Sequence, residues 1–431
     1  MANHERKKND WDMTGLKECA SLAWEWLEEI AHCSQTSNPD NEGVTRLCAS
    51  QEHRDANSKL RQWMLACGMQ VRMDNAANLI GRYPSKAPNA KTLIFGSHQD
   101  TVPNGGKYDG ILGVVAPLAL VHYFDSNNIE LPFHIDVIAF SDEEGTRFQS
   151  TLLGSKAISG TFDPLMLDAT DAQGMTMREA LSEFGCRPEL IEKDAYQPDE
   201  VLGFVELHIE QGPQLERARL PVGVVSAITG IERHTLSIKG KAGHAGTVPM
   251  EMRKDALVGA AQVIHRFDQL CKSQDDLVGV VGKIENFPNG VNVIPQQTDI
   301  TIELRSPNDS SRLAARSELL AEIEELMAAY NLCYVHKLSY EQSAVTCSES
   351  LSSLLAQATS AVGIEPMHLF SGAGHDGLAV THLTDIAMLF MRCKNGVSHH
   401  PDEAITQADL LSSLEVLQQF CLLLKSDSTC S

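Results

Sequence analysis

The alternation of apolar strands and helices between residues 91 and 140 is the feature that most constrains how this chain can fold. Lys91–Gly96 and His134–Phe140 are short apolar runs typical of buried strands, and Gly113–Phe124 between them suits a packed helix. Strands that alternate with helices predict an α/β fold whose central sheet is mainly parallel. In such sheets ligands bind beyond the carboxyl ends of the strands. Polar residues that directly follow these strands are therefore candidates for a functional site.

The middle of the chain follows a different pattern. Strands are predicted at His234–Lys239, Asp276–Asn286, Thr298–Arg305 and Cys333–Tyr340, and helices at Arg253–Lys272 and Ser310–Tyr330. This β-α-β-β-α-β order predicts a ferredoxin-like α+β unit inserted over residues 230–341. A chain of 431 residues is long enough for two domains. The α/β domain would then occupy residues 1–229 and 342–431.

Composition restricts the partners and the compartment. The net charge of −22 argues against binding to nucleic acid or to an anionic membrane surface. The eleven cysteines include no C-x-x-C pair, which indicates free thiols in a reducing compartment. No apolar run reaches eighteen residues, and the polar start of the chain lacks the apolar core of a secretory signal. These features together predict a cytoplasmic protein.

Two candidate metal ligands follow the first predicted strand. His98 comes directly after it, and Asp109 lies in the glycine-rich segment 105–110, where the backbone can turn tightly and approach a ligand. Asp100 is a candidate partner for the second ring nitrogen of His98, since metal-bound histidines usually donate that N–H to an acceptor. The alternatives are a surface histidine beside a helix-capping aspartate, and an ordinary Asp-Gly turn.

Three acidic residues follow the second predicted strand. Asp142, Glu143 and Glu144 stand side by side after an apolar run, and their mutual repulsion is costly unless a cation offsets it. One glutamate could bind a metal while its neighbour acts as a general base on water. The alternative is a solvated acidic loop.

Two further segments carry histidines. Alternation along a predicted strand places Glu206, His208 and Glu210 on one face, with His208 the favoured ligand and Glu210 its competitor. His399 and His400 stand side by side before a proline, and either could bind metal or belong to a hydrogen-bonded loop. Imidazole combined with carboxylate suits zinc, manganese or cobalt better than calcium or magnesium. Two such ions would share a bridging carboxylate.

Nine motifs, in the expected order along the chain, resemble those of the M20-type metallohydrolases, and the resemblance covers roughly residues 15–420. They also resemble, more narrowly, the branch that contains L-carbamoylases, β-ureidopropionases, ureidoglycolate hydrolases and allantoate amidohydrolases. The motifs are GSHQDTV, GGKYDGILGV, SDEEGTRF, ELHIEQGP, GKAGHAGTVPM, NVIP, ELRSP, SGAGHD and GVSHHPDE. The resemblance is far more specific than any one motif.

The resemblance implies a role for each residue of a two-metal site. One divalent ion would be held by His98, Asp109 and His208, and the second by Asp109, Glu144 and His399, so that Asp109 bridges. Glu143 would be the general base, and Asp100 would support the site from behind the ligands. Related peptidases usually have a carboxylate where this chain has His208, which favours an amidohydrolase over an exopeptidase.

The resemblance also implies that the inserted unit is a lid and dimerisation domain. His244 would reach into the partner subunit's site and polarise the scissile carbonyl; the alternative is a histidine of an ordinary turn. Arg305 would bind a substrate carboxylate, for which the guanidinium fork is the right chemistry, and its alternative is a salt bridge at the end of a strand. Gln211, Asn292 and the backbone of Gly374 would supply further substrate contacts. The expected assembly is a homodimer.

The expected reaction is hydrolysis of a ureido C–N bond in a small carboxylate-bearing compound. The motifs GHAGTVPM and GFVELHIEQGP look most similar to those of allantoate amidohydrolases, which favours allantoate as substrate, giving ureidoglycine, ammonia and carbon dioxide. The close alternative is an N-carbamoyl-L-amino acid hydrolase or β-ureidopropionase. A metal-dependent exopeptidase and a binding protein that has lost its metals are less favoured, because no inferred ligand or base is missing.

Overall fold

The computed structural model describes residues 13–428. Within this part of the chain there are twelve α-helices: α1 (Met13–Ala31), α2 (Pro39–Glu42), α3 (Gln51–Ala66), α4 (Leu112–Ser126), α5 (Leu153–Ser159), α6 (Met177–Phe184), α7 (Gln214–Ala218), α8 (Ala256–Lys272), α9 (Asp309–Ala329), α10 (Glu349–Ala361), α11 (Gly377–Val380) and α12 (Gln407–Ser428). Short 3-10 helices span Pro164–Asp168, Pro188–Asp194, Pro198–Glu200, Met250–Met252 and Lys394–Gly396.

The same described residues form fifteen strands: β1 (Gln70–Met73), β2 (Leu79–Tyr83), β3 (Thr92–His98), β4 (His134–Phe140), β5 (Val201–Ile209), β6 (Val222–Ile228), β7 (Gly230–Lys239), β8 (Gly243–His244), β9 (Val278–Phe287), β10 (Val293–Ile294), β11 (Gln297–Ser306), β12 (Cys333–Gln342), β13 (Val345–Thr346), β14 (His368–Ser371) and β15 (Ile386–Met391). The strand predicted at His134–Phe140 is β4 with the same bounds.

The described residues divide into two compact units. The first comprises residues 13–226, Cys347–Leu369 and residues 375–428. The second comprises Ala227–Thr346 and Phe370–Gly374. The segment 230–341, which the sequence predicts as an insertion, falls within the second unit. The five residues from Phe370 to Gly374 belong to this unit as well, although they lie far from it in sequence.

The first unit is built on a largely parallel sheet. Its strand order is β1-β2-β4-β3-β5-β15-β6, and β14 also pairs with β6. The central pairs β4–β3, β3–β5 and β5–β15 are parallel, whereas the pairs towards both edges are antiparallel. The mixed α/β fold with a mainly parallel central sheet predicted from the sequence is thereby confirmed.

Burial on both faces explains why the central strands read as continuous apolar runs. All seven residues of β3 are buried, and β4 is buried except at its first residue. Helix α4 is buried around most of its circumference and packs against β3 and β5. At Gly113 of α4 a Cβ atom would lie 2.3 Å from the carbonyl oxygen of Leu207, so glycine is required for this close packing.

The second unit contains a four-stranded antiparallel sheet with the order β12-β7-β11-β9. Helices α8 and α9 pack against it, and alternate residues of β7 and β11 are buried beneath them. The strands β8 and β10 form a separate two-stranded ladder in which His244 is opposite Val293. The elements follow the order β-α-β-β-α-β along the chain once this small ladder is set aside.

Two expectations from composition can be compared with the structure. Ten of the eleven cysteines lie in the described residues, and all ten are unpaired. No helix among the described residues has both the length and the apolar character needed to cross a membrane.

Candidate metal centre

Asp109 lies at the centre of a cluster of histidines and acids in the first unit. Its Oδ1 is 3.1 Å from Nε2 of His208 and 3.6 Å from Nε2 of His98. Its Oδ2 is 3.1 Å from Nε2 of His399, which is also 3.3 Å from Oε1 of Glu144. The two oxygens of one carboxylate therefore face two separate groups of side chains, and the potential ligand atoms within each group lie no more than 4.8 Å apart.

The sheet explains why these residues meet. His98 is the last residue of β3, His208 is the penultimate residue of β5, and Glu144 follows β4 in the next loop. Because β4, β3 and β5 are adjacent and parallel, their carboxyl ends lie at one edge of the sheet. Asp109 lies in the loop between β3 and α4, and His399 lies in the loop after β15, which pairs with β5.

Main-chain carbonyls orient the two buried imidazoles. Nδ1 of His98 is 2.9 Å from the carbonyl oxygen of Asp100, and Nδ1 of His208 is 2.9 Å from that of Ile209. A carbonyl can only accept, so in the neutral rings Nδ1 carries the proton and Nε2 presents its lone pair towards Asp109. The partner of His98 is thus the backbone of Asp100 and not its carboxylate.

The Asp100 carboxylate instead holds the loop that carries the two glutamates. Its Oδ1 accepts a hydrogen bond from the backbone N–H of Glu143, and its Oδ2 accepts one from Glu144, both at 3.1 Å. The preceding residue, Asp142, has a φ of 55°, in the left-handed region that non-glycine residues rarely adopt. Backbone strain of this kind is concentrated at functional sites.

A second carboxylate, Glu403, braces the loop that carries Asp109. Its Oε1 accepts hydrogen bonds from the backbone N–H groups of Tyr108 at 2.8 Å and of Asp109 at 3.0 Å. The Ser398 hydroxyl lies 2.9 Å from Oδ2 of Asp109 and 3.0 Å from Oε2 of Glu403. At Gly106 a Cβ atom would lie 2.0 Å from the Glu403 carboxyl carbon, so only glycine permits this approach.

Gln211, predicted as a substrate contact, reaches the same carboxylate. Its Nε2 donates to Oδ2 of Asp109 at 3.0 Å and to the Ser398 hydroxyl at 3.1 Å, and its φ is 56°. Its Oε1 is buried and has no hydrogen-bond partner among the described residues. The amide therefore both orients the predicted bridging carboxylate and leaves an acceptor available.

The pKa values of the cluster favour positive charge at the imidazoles. Burial lowers the pKa of His98 and of His208, but the contacts with Asp109 and other acids outweigh burial and raise both. Contacts with Asp109 and Glu144 raise the pKa of the half-exposed His399 to about 10. Burial alone would raise the pKa of Asp109, yet the three histidines hold it well below its ordinary value.

The donor set fits divalent cations. Oδ1 of Asp109 and Nε2 of His208 are buried and 3.1 Å apart, but neither has an aligned hydrogen-bond partner among the described residues. In the neutral ring these atoms are two facing acceptors, which repel one another unless a proton or a metal cation lies between them. Three imidazoles and two carboxylates form a ligand set that suits zinc, manganese or cobalt. The groups His98–Asp109–His208 and Asp109–Glu144–His399 each offer three ligand atoms.

Glu210, the alternative ligand in the motif around His208, makes hydrogen bonds elsewhere, and a histidine that the sequence did not single out lies beside His208. Glu210 accepts hydrogen bonds from the backbone N–H groups of Gln214 and Leu215, at the start of the short helix α7. His375 is buried with its ring centroid 4.5 Å from that of His208, and it forms a third group with Glu206 and His208. Its place in the motif SGAGHD was the available signal.

His244 and Asn292, which the sequence predicts as substrate contacts, are neighbours in the second unit. His244 is in β8, and Asn292 directly precedes β10, the strand paired with β8. The backbone N–H of Ala245 donates to the carbonyl oxygen of Asn292 at 2.9 Å. Both side chains are exposed, and Nδ1 of His244 accepts from the backbone N–H of Gly246 at 3.2 Å. Their predicted roles towards substrate stay predictions.

Arg305, also in the second unit, contacts the loop that contains Gly374. The guanidinium of Arg305 donates from Nε at 2.9 Å and from Nη2 at 2.5 Å to Oε1 of Glu303. Its Nη1 donates to the carbonyl oxygen of Gly372, in the loop that also contains Gly374. Glu303 was not singled out in the sequence, although it stands two residues before Arg305 and so on the same face of β11.

Comparison with known proteins gives a consistent result. Residues 94–423 match the sequence profile described as peptidase family M20/M25/M40. An N-carbamoyl-L-amino-acid amidohydrolase from Pseudomonas sp. (strain NS671) is 37% identical over 401 residues, covering 91% of this chain and 95% of the relative. An allantoate deiminase from Arabidopsis thaliana is 38% identical over 394 residues, covering 83% and 75%.

A solved structure extends the likeness to three dimensions. An amidase of the hydantoinase/carbamoylase family from Burkholderia multivorans superposes with a TM-score of 0.88 at 28% identity, covering 94% of this chain and 97% of that one. The profile match covers more than half of the chain, and relatives above 30% identity span most of it. The chain therefore belongs to the M20/M25/M40 family and is a hydrolase of its amidohydrolase branch.

Proposed function

We propose that this chain is a two-metal amidohydrolase that cleaves the ureido C–N bond of a small carboxylate-bearing compound. The observation that carries the proposal is the preformed cluster in which Asp109 faces His98 and His208 with one oxygen, and His399 and Glu144 with the other. Two divalent ions held there would polarise the ureido carbonyl. They would also lower the pKa of water, so that hydroxide is available near neutral pH.

Glu143 is the proposed general base. Burial and the neighbouring acids Glu144, Asp376 and Asp100 raise the pKa of its carboxyl group well above the ordinary value, although His98 opposes them. A carboxylate whose pKa is raised binds a proton more readily, so it can accept one from the attacking water and return it to the leaving nitrogen. The backbone hydrogen bond from Glu143 to Asp100 fixes the position from which it does so.

The second unit would complete the substrate site. In this proposal Arg305 binds the substrate carboxylate, Asn292 and Gly374 donate further hydrogen bonds, and His244 of the partner subunit stabilises the developing oxyanion. Gln211 would offer its unpaired Oε1 to the ureido N–H groups. The unit acts as a lid and as the dimerisation surface of a homodimer.

Allantoate is the first candidate substrate, and N-carbamoyl-L-amino acids are the second. Both carry a terminal ureido group and a carboxylate, so the same residues could serve either. Water converts allantoate to ureidoglycine, ammonia and carbon dioxide, and an N-carbamoyl-L-amino acid to the amino acid, ammonia and carbon dioxide. The second candidate is favoured by the name of the Pseudomonas relative, and the first by that of the Arabidopsis relative.

A substrate panel tests the proposal. The purified protein, loaded with zinc, manganese or cobalt, is given allantoate, N-carbamoyl-L-amino acids, ureidopropionate and dipeptides, and ammonia and amine release are followed. We expect ammonia from at least one ureido acid and no cleavage of dipeptides. Release of amino acids from dipeptides without any ammonia from the ureido acids would replace this function with that of an exopeptidase.

Substitution of two adjacent glutamates separates the base from the ligand. Glu143→Gln should lower kcat by roughly a thousandfold while the metal content stays at two ions per chain, because only proton transfer is lost. Glu144→Gln should lower both the metal content and kcat, because it removes a ligand. Metal analysis after gel filtration and steady-state kinetics measure the two effects. Near-normal turnover in Glu143→Gln would exclude it as the base.

A further inference from the structure

Arg305 has more N–H groups than its present hydrogen bonds use. A guanidinium has one N–H on Nε and two on each terminal nitrogen. Glu303 accepts from Nε and from Nη2, and the Gly372 carbonyl accepts from Nη1. Among the described residues no further acceptor is recorded, so one N–H remains on each terminal nitrogen. Two such groups are the donors that a carboxylate needs for a bidentate contact.

Glu303 is itself held from its other side. Its Oε2 accepts from Nε of Arg233 at 2.9 Å and from Nη2 at 2.5 Å, and the guanidinium of Arg233 lies 5.7 Å from the centre of the Tyr340 ring. The Glu303 side chain is 15% exposed, against 30% for Arg305 and 49% for Arg233. The carboxylate therefore lies between two guanidinium groups, and the Arg305 side chain stays partly exposed to solvent.

Arg233, Glu303 and Arg305 together carry a net positive charge, which attracts an anion. Two guanidinium groups and one carboxylate sum to +1, although the whole chain carries −22. Burial alone would raise the pKa of Glu303, but the hydrogen bonds from Arg233 and Arg305 lower it, so the carboxylate stays ionised at neutral pH. An ionised Glu303 restrains Arg305 but accepts no hydrogen bond from the two remaining N–H groups of Arg305.

We infer that Glu303, held by Arg233, is a positioning residue that fixes Arg305 with its two outer N–H groups directed to a substrate carboxylate. The inference rests on the proposed function and deepens it, because it makes the carboxylate of the ureido acid the group that this site selects. A long arginine side chain loses conformational freedom on binding a ligand, and a guanidinium already held in place loses less. Glu303 thus contributes to affinity without touching the substrate.

Binding to an inactive enzyme tests the inference without relying on turnover. In the Glu143→Gln background, allantoate and an N-carbamoyl-L-amino acid are titrated calorimetrically. Adding Glu303→Gln should raise the Kd about tenfold, and adding Arg233→Gln about threefold. In the Arg305→Lys background, Glu303→Gln should change the Kd less than twofold, because its effect passes through Arg305. In active enzyme, Glu303→Gln should raise KM and leave kcat within twofold.

Asp299→Asn is the matched control, since Asp299 lies on the same face of β11 but accepts from the amide of Gln297. It should leave the Kd unchanged. An unchanged Kd in Glu303→Gln, or an equal rise with and without Arg305, would overturn the inference. If Glu303→Gln lowers the melting temperature strongly, Arg233→Gln decides, and an unchanged Kd there would also overturn it. A wild-type enzyme that binds ureido acids but hydrolyses none would instead refute the proposed function.

Discussion

At the scale of single residues, the histidine and carboxylate side chains of the candidate metal centre are positioned by neighbours that lack side chains. Gly110 has a φ of 69°, and a Cβ atom built there would lie 2.4 Å from Cε1 of His98. Gly106 gives the same access to Glu403. Gly110 therefore serves two purposes, since it allows the turn and leaves room for a functional side chain, whereas Gly106 only leaves room.

Gly110→Ala should disturb His98 and reduce metal affinity. The substitution adds backbone strain of about 1 kcal/mol at a positive φ and also forces the imidazole away from Asp109. We expect the Kd for the metal to rise by about 10–100-fold, the range seen when support for a ligand is lost. Calorimetric titration of the metal-free protein measures this effect.

Gly174→Ala is the matched control for that prediction. Gly174 also has a positive φ, of 84°, but a Cβ atom there would meet nothing within 4 Å. It should cost the same backbone strain, seen as a lower melting temperature, without a change in metal affinity. Equal metal affinities in the two variants would show that the contact with His98 does not matter.

The sequence identified the candidate ligands and, in Asp100, one of the side chains that support them, but it did not identify Glu403. His98, Asp109, Glu144, His208 and His399 each stood in a short motif with a chemical reason for its residue types. The hydrogen bonds of Glu403 to the backbone of Tyr108 and Asp109 join residues almost three hundred positions apart, and no local pattern encodes such a contact. The hydrogen bond from Arg305 to the carbonyl oxygen of Gly372 could not be foreseen either, because these residues are 67 positions apart.

At the scale of elements, the two buried strands β3 and β4 were predicted well, because burial on both faces gives each of them a continuous apolar run. The strands β3 and β4 are buried almost throughout, and the apolar runs marked them to within two residues at each end. Left-handed backbone conformations at Asp142, Gln211 and His399 were not predictable, since none of these is glycine. They occur in the loops after β4, β5 and β15, where function and not propensity sets the backbone.

The buried histidine of helix α3, His53, should make the folded protein less stable at low pH. His53 is buried near its N-terminus, and its Nδ1 accepts from the backbone N–H of Ala49 at 3.0 Å. Burial, followed by the charges of Arg46 and Arg54, lowers the pKa of His53 to about 3. The folded protein therefore keeps His53 neutral while the unfolded chain binds a proton below its ordinary pKa of about 6.5. Stability from this group is lost as the pH falls from about 6.5 to about 3.

His53→Gln should make the protein less sensitive to acid. At pH 5 the wild-type protein should lose about 2 kcal/mol relative to pH 7.5 through this group, whereas glutamine does not titrate and can still accept from Ala49. Melting temperatures at both pH values, measured with EDTA to remove metal effects, should differ less in the variant. The exposed residue His265 provides the control, and His265→Gln should behave as the wild type. An equal acid sensitivity in His53→Gln and wild type would contradict the assignment.

At the scale of the whole molecule, the predicted site residues are distributed over two compact units. The metal-binding candidates and Glu143 belong to the first unit, while His244, Asn292, Arg305 and Gly374 belong to the second. In the second unit, β7 and β11 could be predicted because alternate residues along each strand are buried. The segment Phe370–Gly374 could not be assigned to it from sequence, since five residues are too short to show a pattern.

Mixing two inactive variants tests whether a complete site needs two subunits. His244→Ala lacks the proposed oxyanion donor, and Glu143→Gln lacks the base, so each homodimer should be nearly inactive. If His244 serves the partner's site, a heterodimer contains one complete site and one that lacks both groups. Random exchange makes about half of the dimers heterodimers, so the mixture should recover about a quarter of the wild-type activity per chain. Recovery should depend on subunit exchange and should be absent when the variants are mixed immediately before the assay. No recovery after exchange, with heterodimers verified by differential tagging, would place His244 in the site of its own chain or outside any site.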